Sequence, residues 1–229
     1  MSLPAPHDKA AVVEAMFDRI APHYDRMNRL LTWRLDARWR RRAVGRLGLA
    51  PGAVVLDVGC GTGDMALLAR AAGARVVGLD VAAGMLRVAH TRGAADALLR
   101  ADATCLPLRA GTLHAVMSAF ALRNLTAIPP MLAEAARVLR PGGRLALLEV
   151  DEPRLALLRW GHGLYFRHAV PLLGALLADR EAYRYLPQST AYLPAPDALR
   201  AMLAAFGFVK LRKERLGGGA AQLLTAQRE

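Results

Sequence analysis

Hydrophobic positions change their period several times along this chain. Between Pro51 and about Glu152, short runs rich in aliphatic and β-branched residues alternate with stretches of helical periodicity, the rhythm of a parallel sheet wrapped by helices. Val54–Val58, Arg75–Asp80, Leu98–Ala101, Leu113–Ser118 and Gly143–Val150 are predicted strands. Gly63–Ala72, Gly84–Arg92 and Ile128–Leu139 are predicted helices, the last following the turn at Pro129-Pro130. Upstream, Lys9–Ile20 and Leu30–Leu47 predict two helices joined through Ala21-Pro22-His23-Tyr24-Asp25, a cap over the sheet. Downstream, Leu155–Asp179 is a long helical stretch interrupted at Pro171 and too apolar for an ordinary solvent helix. A helix over Pro196–Phe206 follows, then two closing strands, Phe208–Glu214 and Ala221–Gln227, joined by Gly217-Gly218-Gly219. The pattern predicts one domain: a cap over 1–50, a core over 51–152, a helical region over 153–195, and a closing helix and strands over 196–229.

Composition narrows the class. With 229 residues, 54% of them hydrophobic and 22% charged, the chain can bury a sizeable core and is not an intrinsically disordered segment. Basic residues outnumber acidic ones 31 to 19, for a net charge of +12. Lys9, Lys210 and Lys213 are the only lysines, so an Arg-rich coding bias explains the surplus as readily as a selected field does. The densest cluster, Arg38, Arg40, Arg41, Arg42 and Arg46, lies on a predicted helix with Trp33 and Trp39 beside it. It reads either as a solvated face or as one turned to an anionic surface. No aromatic–basic interleaving of a nucleic-acid motif occurs, so nucleic acid is not an expected partner. Two cysteines, Cys60 and Cys105, are too few for a disulfide framework, and the expected residence is cytoplasmic. Uncharged runs such as Ala110–Leu122 and His168–Ala178 are shorter than the ~18–20 apolar residues of a membrane span.

The chemistry concentrates in Val55-Leu56-Asp57-Val58-Gly59-Cys60-Gly61-Thr62-Gly63-Asp64. A buried strand runs into Gly-x-Gly-x-Gly and then a helix, so backbone can approach a ligand where a Cβ would block it. The spacing is neither the G-x-G-x-x-G of dinucleotide folds nor a P-loop. A carboxylate, Asp57, instead precedes the loop, where it would meet an ammonium group and repel a phosphate. Asp80 ends the second strand, placed to accept two hydrogen bonds from a ribose diol. Asp102-Ala103 follows the third strand, suited to the exocyclic amine of adenine. Singly, each feature could be a turn or a helix cap. In order at consecutive strand ends, they describe an amino acid, a ribose and an adenine without phosphates: S-adenosylmethionine.

Three further segments carry a resemblance. Met16-Phe17-Asp18-Arg19-Ile20-Ala21-Pro22-His23-Tyr24-Asp25-Arg26-Met27-Asn28, Ser118-Ala119-Phe120-Ala121-Leu122-Arg123-Asn124 and Tyr183-Arg184-Tyr185-Leu186-Pro187-Gln188-Ser189 resemble motifs of the ubiquinone/menaquinone biosynthesis C-methyltransferase family, class I S-adenosylmethionine-dependent methyltransferases. Departures fall at Cys60, Ala121, Gln188 and the closing strand. The resemblance implies an α/β, Rossmann-like, doubly wound and mostly parallel seven-stranded sheet with a helical cap and a helical insertion before the last two strands. It implies a cofactor set of Asp57, Gly59, Gly61, Thr62, Asp80, Asp102, Ala103 and Ser118, and no metal. The implied substrate is a lipophilic prenylated quinol such as demethylmenaquinol. Arg123 and Asn124 are then candidates to hold its ring oxygens, His168 a candidate base, and Tyr24, Tyr183 and Tyr185 candidates for lining its pocket. Leu155–Ala178 would form a lid or tail channel, and the Arg/Trp segment over 33–46 would touch anionic lipid at the inner membrane face. Two alternatives stay open: a methyltransferase of this fold with another small acceptor, and a non-catalytic binding module. A homodimer is compatible with either.

Overall fold

A computed structural model of the chain describes residues 8–153, 185 and 188–229. The predicted helical stretch Leu155–Asp179, with His168, and also Tyr183 lie outside these residues. The strands are β1 (Val54–Val58), β2 (Arg75–Asp80), β3 (Ala97–Arg100), β4 (Leu113–Ala119), β5 (Leu139–Val150), β6 (Phe208–Leu216) and β7 (Ala221–Arg228). They form one sheet in the order β3-β2-β1-β4-β5-β7-β6. The first five strands run parallel, and β7 inserts antiparallel between β5 and β6. The order reverses at β1 and β4, so helices that follow them leave on opposite faces and a crevice opens at their carboxyl ends.

Period-two alternation explains how one strand serves two cores. On one face Leu56, Val58, Val116, Leu145 and Leu147 pack against α6 (Ile128–Val138), through Met131 and Leu132, and against α7 (Pro196–Ala205), through Leu199 and Leu203. On the other face Val55, Ala115, Met117, Ala146 and Leu148 pack against α3 (Leu35–Leu47) and α4 (Asp64–Ala71). A third, smaller cluster lies over the crevice. There Val13, Met16 and Ile20 of α1 (Lys9–Ile20) and Met27 of α2 (Tyr24–Leu31) meet Met85 of α5 (Ala83–Thr91) and Tyr185.

Two predicted elements change. Leu30–Leu47 is not one helix: the chain breaks after Leu31, and Trp33 (φ 52°) and Arg34 (φ 60°) adopt left-handed backbone. The Thr32 hydroxyl lies 2.7 Å from both the Asn28 carbonyl and the Asp36 carboxylate, a local alternative to helical bonding. The fifth strand starts at Leu139 rather than Gly143, because Leu139 already pairs with Leu113 before the register shifts between Leu113 and Ala115. Pro141-Gly142-Gly143 sits inside that irregularity, with Gly142 at φ 75°.

Gly63, at φ 87°, starts α4 where an added Cβ would overlap the Cβ of Ala94. Gly45, within α3, faces open space. Chemical denaturation should show Gly63→Ala destabilised by about 1–3 kcal/mol and Gly45→Ala unchanged or more stable by up to about 1 kcal/mol.

Candidate functional site

The crevice at the carboxyl ends of β1, β2 and β4 holds a cleft open to solvent. Gly59, Gly61, Asp80, Asp102 and Ala103 line one part of it, and Tyr24 and Asn124 line another. Asp80 ends β2 with its carboxylate turned to the glycine loop, accepting from the Gly61 N–H at 2.8 Å and the Ala82 N–H at 3.0 Å. Burial pushes its pKa up, and these backbone donors oppose the rise. Asp102, which is exposed, accepts from the Thr104 N–H at 2.8 Å and so shapes the turn that presents buried Ala103 to the cleft. Gly59, at φ 64°, leaves no room for a Cβ, which would run into Ala121.

Asp57 lies beneath the glycine loop, 1% exposed, on a strand buried along most of its length. Its Oδ2 has no hydrogen-bond partner. Burial pushes the carboxyl up to about 7; the Arg40 guanidinium pulls it down, and Asp80 adds to the rise. A buried carboxylate oxygen left unpartnered destabilises the fold unless a cation arrives to meet it. This is the observation that fits the residues to S-adenosylmethionine: an orphaned acid for its ammonium, Asp80 for its ribose and Asp102-Ala103 for its adenine.

Two predicted cofactor residues are engaged elsewhere. The Thr62 hydroxyl donates to Asp25 Oδ1, and the Ser118 hydroxyl donates to the Val58 carbonyl at 2.8 Å, bracing β4 against β1. Neither residue lines the cleft.

Arg123 departs further from expectation. It was expected to grip a substrate oxygen, yet it is 7% exposed and bound to the protein itself. Its Nη1 pairs with Glu149 and donates to the Phe120 carbonyl at 3.0 Å, and its Nε donates to Ser189 at 3.1 Å. The guanidinium thus ties the end of β4 to the end of β5 and to the turn at Ser189–Tyr192. These bonds brace the cleft wall. Asn124 does reach the cleft: its Nδ2 donates to the Phe120 carbonyl at 3.3 Å, leaving Oδ1 buried and unpartnered. Tyr185 is absent from the cleft lining and packs with α1 and α2, where burial pushes its hydroxyl up to about 12. Tyr24 lines the cleft with its ring edge-on to Phe17 at 5.9 Å.

Sequence reasoning missed the bonds that seat the cap. Asp18 of α1 accepts from the Gly84 N–H at 2.5 Å, capping α5 from another helix, and the contact is too close for any side chain at 84. Arg92 donates to Asp25 at 2.9 Å, Asp64 at 2.7 Å and the Thr62 carbonyl at 2.8 Å, joining α2 to the glycine loop. Asp18 and Asp25 stand in the quoted N-terminal motif, which was a usable signal; nothing local marks Arg92 as their partner. Glu149, an acid ending an apolar strand, was a visible signal as well.

Removing one member of the Arg123–Glu149 pair leaves a buried charge. Arg123→Met should lower unfolding free energy by about 3–5 kcal/mol, and the double variant with Glu149→Leu should recover part of it in denaturant titrations. Asp57 supplies a pH signature. Because its folded pKa, about 7, stands above the unfolded value near 3.8, the folded state holds the proton more tightly between those limits, so the group's contribution to stability falls as pH rises through that window. Urea midpoints at pH 5 and pH 8 should therefore differ more in the wild type than in Asp57→Asn.

Comparison with known proteins shows the family. Residues 6–228 match the ubiE/COQ5 methyltransferase family. A demethylmenaquinone methyltransferase of Thermus thermophilus is 45% identical over 93% of this chain and 100% of its own length. A ubiquinone/menaquinone biosynthesis C-methyltransferase of Syntrophotalea carbinolica is 42% identical over 93% of this chain and 92% of its own. Solved structures share the fold at lower identity. Phosphoethanolamine N-methyltransferase 2 of Haemonchus contortus, in complex with S-adenosyl-L-methionine, superposes with TM-score 0.61 at 16% identity over 82% of this chain and 52% of its own. A methyltransferase of Aquifex aeolicus gives 0.57 at 18% over 83% and 89%. With glycine loop, orphaned Asp57, Asp80 and Asp102 at consecutive strand ends, the chain belongs to the ubiE/COQ5 family of S-adenosylmethionine-dependent methyltransferases.

Proposed function

We propose that this methyltransferase alkylates a ring carbon of a prenylated quinol of the demethylmenaquinol type. The observation that carries the reading is the mixed lining of the cleft, which joins two acids, Asp80 and Asp102, to an apolar and aromatic set that includes Val13, Phe17, Tyr24, Phe120 and Leu125. Into this lining projects one polar residue with an unpartnered oxygen, Asn124. That oxygen accepts a hydrogen bond from a ring hydroxyl and so fixes the ring's rotation, while the aromatic residues take its faces. The names of the relatives at 45% and 42% identity support the same substrate class.

S-adenosylmethionine supplies an electrophilic methyl on a sulfonium. Transfer of that methyl to the ring carbon would leave the bonding pair on sulfur, and loss of the ring proton to water would restore aromaticity. Only the reduced ring is electron-rich enough, since loss of a hydroxyl proton loads the ortho carbon. The protein's share is alignment and exclusion of water: Tyr24 and Phe17 of the cap close over the cleft, and Phe120 and Asn124 set its wall.

A prenylated acceptor resides in the bilayer, so its capture requires a membrane-facing surface; among the described residues no helix is long and apolar enough to cross a membrane. The left-handed turn between α2 and α3 offers the contact. Trp33 is 79% exposed, Leu30 48% and Leu35 37%, and the exposed Arg26, Arg29, Arg34 and Arg38 surround them. An apolar tip ringed by guanidinium groups suits an anionic lipid surface.

The test is methyl transfer from labelled S-adenosylmethionine to demethylmenaquinol carried in neutral or anionic vesicles. Label should enter the quinol form alone, and faster from anionic vesicles. Trp33→Ser should lose the vesicle advantage while retaining activity on a detergent-dispersed, short-tailed quinol. Turnover of water-soluble acceptors with none on the quinol would overturn the reading.

A further inference from the structure

The arginine that closes α5 does more than complete its helix. Arg92 stands at the carboxyl cap of α5, where a cation offsets the helix dipole, and its Nη2 donates to Asp64, the first residue of α4, at 2.7 Å. Helix-end electrostatics accounts for that much. It does not account for Asp25, which lies on α2, 67 residues earlier in the chain, and accepts from Nη1 at 2.9 Å. The same Nη1 donates to the Thr62 carbonyl at 2.8 Å, while the Thr62 hydroxyl donates to the other oxygen of Asp25. Three residues therefore close a ring that joins the end of α5, the glycine loop and the start of α2.

The ring borders the cleft at two points. Thr62 follows Gly61 and Asp25 follows Tyr24, and both Gly61 and Tyr24 line the cleft. The end of α5 is itself pressed against the loop, since a Cβ at Gly63 would overlap that of Ala94, so Arg92 works from a fixed base. Helix α1 is seated by bonds of its own: Lys9 to the Leu125 carbonyl at 2.6 Å, Arg100 to Glu14 at 2.5 Å and the Gly84 N–H to Asp18 at 2.5 Å. Arg92 thus bears on α2 rather than on the whole cap. The Arg92 and Asp25 side chains are 25% and 20% exposed, and ion pairs this open to water add little to global stability. What the ring supplies is geometry. A guanidinium holds several acceptors in fixed directions, which an ammonium cannot do.

We propose that Arg92 is a positioning residue for methyl transfer: it sets α2 against the glycine loop, so that cofactor bound at the loop fixes Tyr24 in the cleft. This role rests on the reading that cofactor and acceptor share the cleft, and it names the group that keeps them in register. A misplacement of about 1 Å costs transfer on the order of 10²-fold.

The test compares wild type, Arg92→Met and Arg92→Lys as full chains. Amide hydrogen exchange with and without S-adenosylhomocysteine reads the coupling with no acceptor present. In the wild type this ligand should slow exchange at least about fivefold in the glycine loop, 59–64, and in α2, 24–31. Arg92→Met should keep the loop's protection and lose that of α2. Its single-turnover methyl transfer from saturating S-adenosylmethionine to demethylmenaquinol should fall about a hundredfold, with S-adenosylhomocysteine affinity by calorimetry within about threefold, and Arg92→Lys should recover only part of the rate. An α2 that gains no protection in the wild type overturns the proposal without any variant. Protection of α2 that survives in Arg92→Met overturns it too, as does its loss together with loop protection and the urea midpoint, which makes Arg92 a support of the fold. Wild type that leaves the quinol unmethylated overturns the acceptor reading alone, and the exchange comparison still decides the role of Arg92.

Discussion

A carboxylate held in the core with one oxygen unpartnered governs this site. Asp57 sits on a strand covered on both faces, where a methionine or leucine would pack better and where its own charge is opposed by burial. The neighbouring features follow from keeping it there. The glycine loop must bend immediately after it, the helix α4 must start at once so that the Ala66 N–H can meet it, and Arg40 must come close enough to temper the charge without neutralising it. The protein accepts a local loss of stability at the one place where a cationic ligand can reverse it.

The second constraint is attachment of the cap. Helices α1 and α2 bury a small apolar cluster, too slight to fix their pose alone, and the pose is set by polar bonds: Asp18 to the start of α5, and Arg92 gathering Asp25, Asp64 and the Thr62 carbonyl. Each bond ends on an element that also shapes the cleft. Movement of the cap and geometry of the glycine loop are therefore linked, which suits an enzyme that must admit two ligands and then exclude water. Lys9 contributes at the other end of α1, donating to the Leu125 carbonyl at 2.6 Å and lying 3.8 Å over the Tyr192 ring, with burial lowering its pKa.

Arg123 shows what a motif read from sequence leaves out. An arginine after an apolar strand at a ligand-bearing edge needs a polar partner, and the sequence offered a substrate oxygen for it. The structure adds a partner within the protein: Glu149, 26 residues later in sequence and on the adjacent strand, with Ser189 beside it. The pair binds together the Ser-x-x-x-Leu-Arg-Asn segment and the Ser189 turn, which explains why both belong to one recognisable pattern. Asn124, the neighbour whose oxygen is left over, inherits the contact with the cleft.

What the sequence determined by itself is what depends on local periodicity and on residue order. Short aliphatic runs such as Val54–Val58 and Leu113–Ser118 announced buried strands, and a glycine loop followed by Asp80 and Asp102-Ala103 at strand ends announced the cofactor, because a parallel sheet brings successive strand ends to one edge. Tertiary structure alone decided how charges pair. That Arg123 pairs with Glu149, that the Ser118 and Thr62 hydroxyls bind Val58 and Asp25, and which arginine of a basic helix turns inward all depend on distances between groups remote in the chain. Electrostatic partners are chosen through space, and no local pattern encodes that choice.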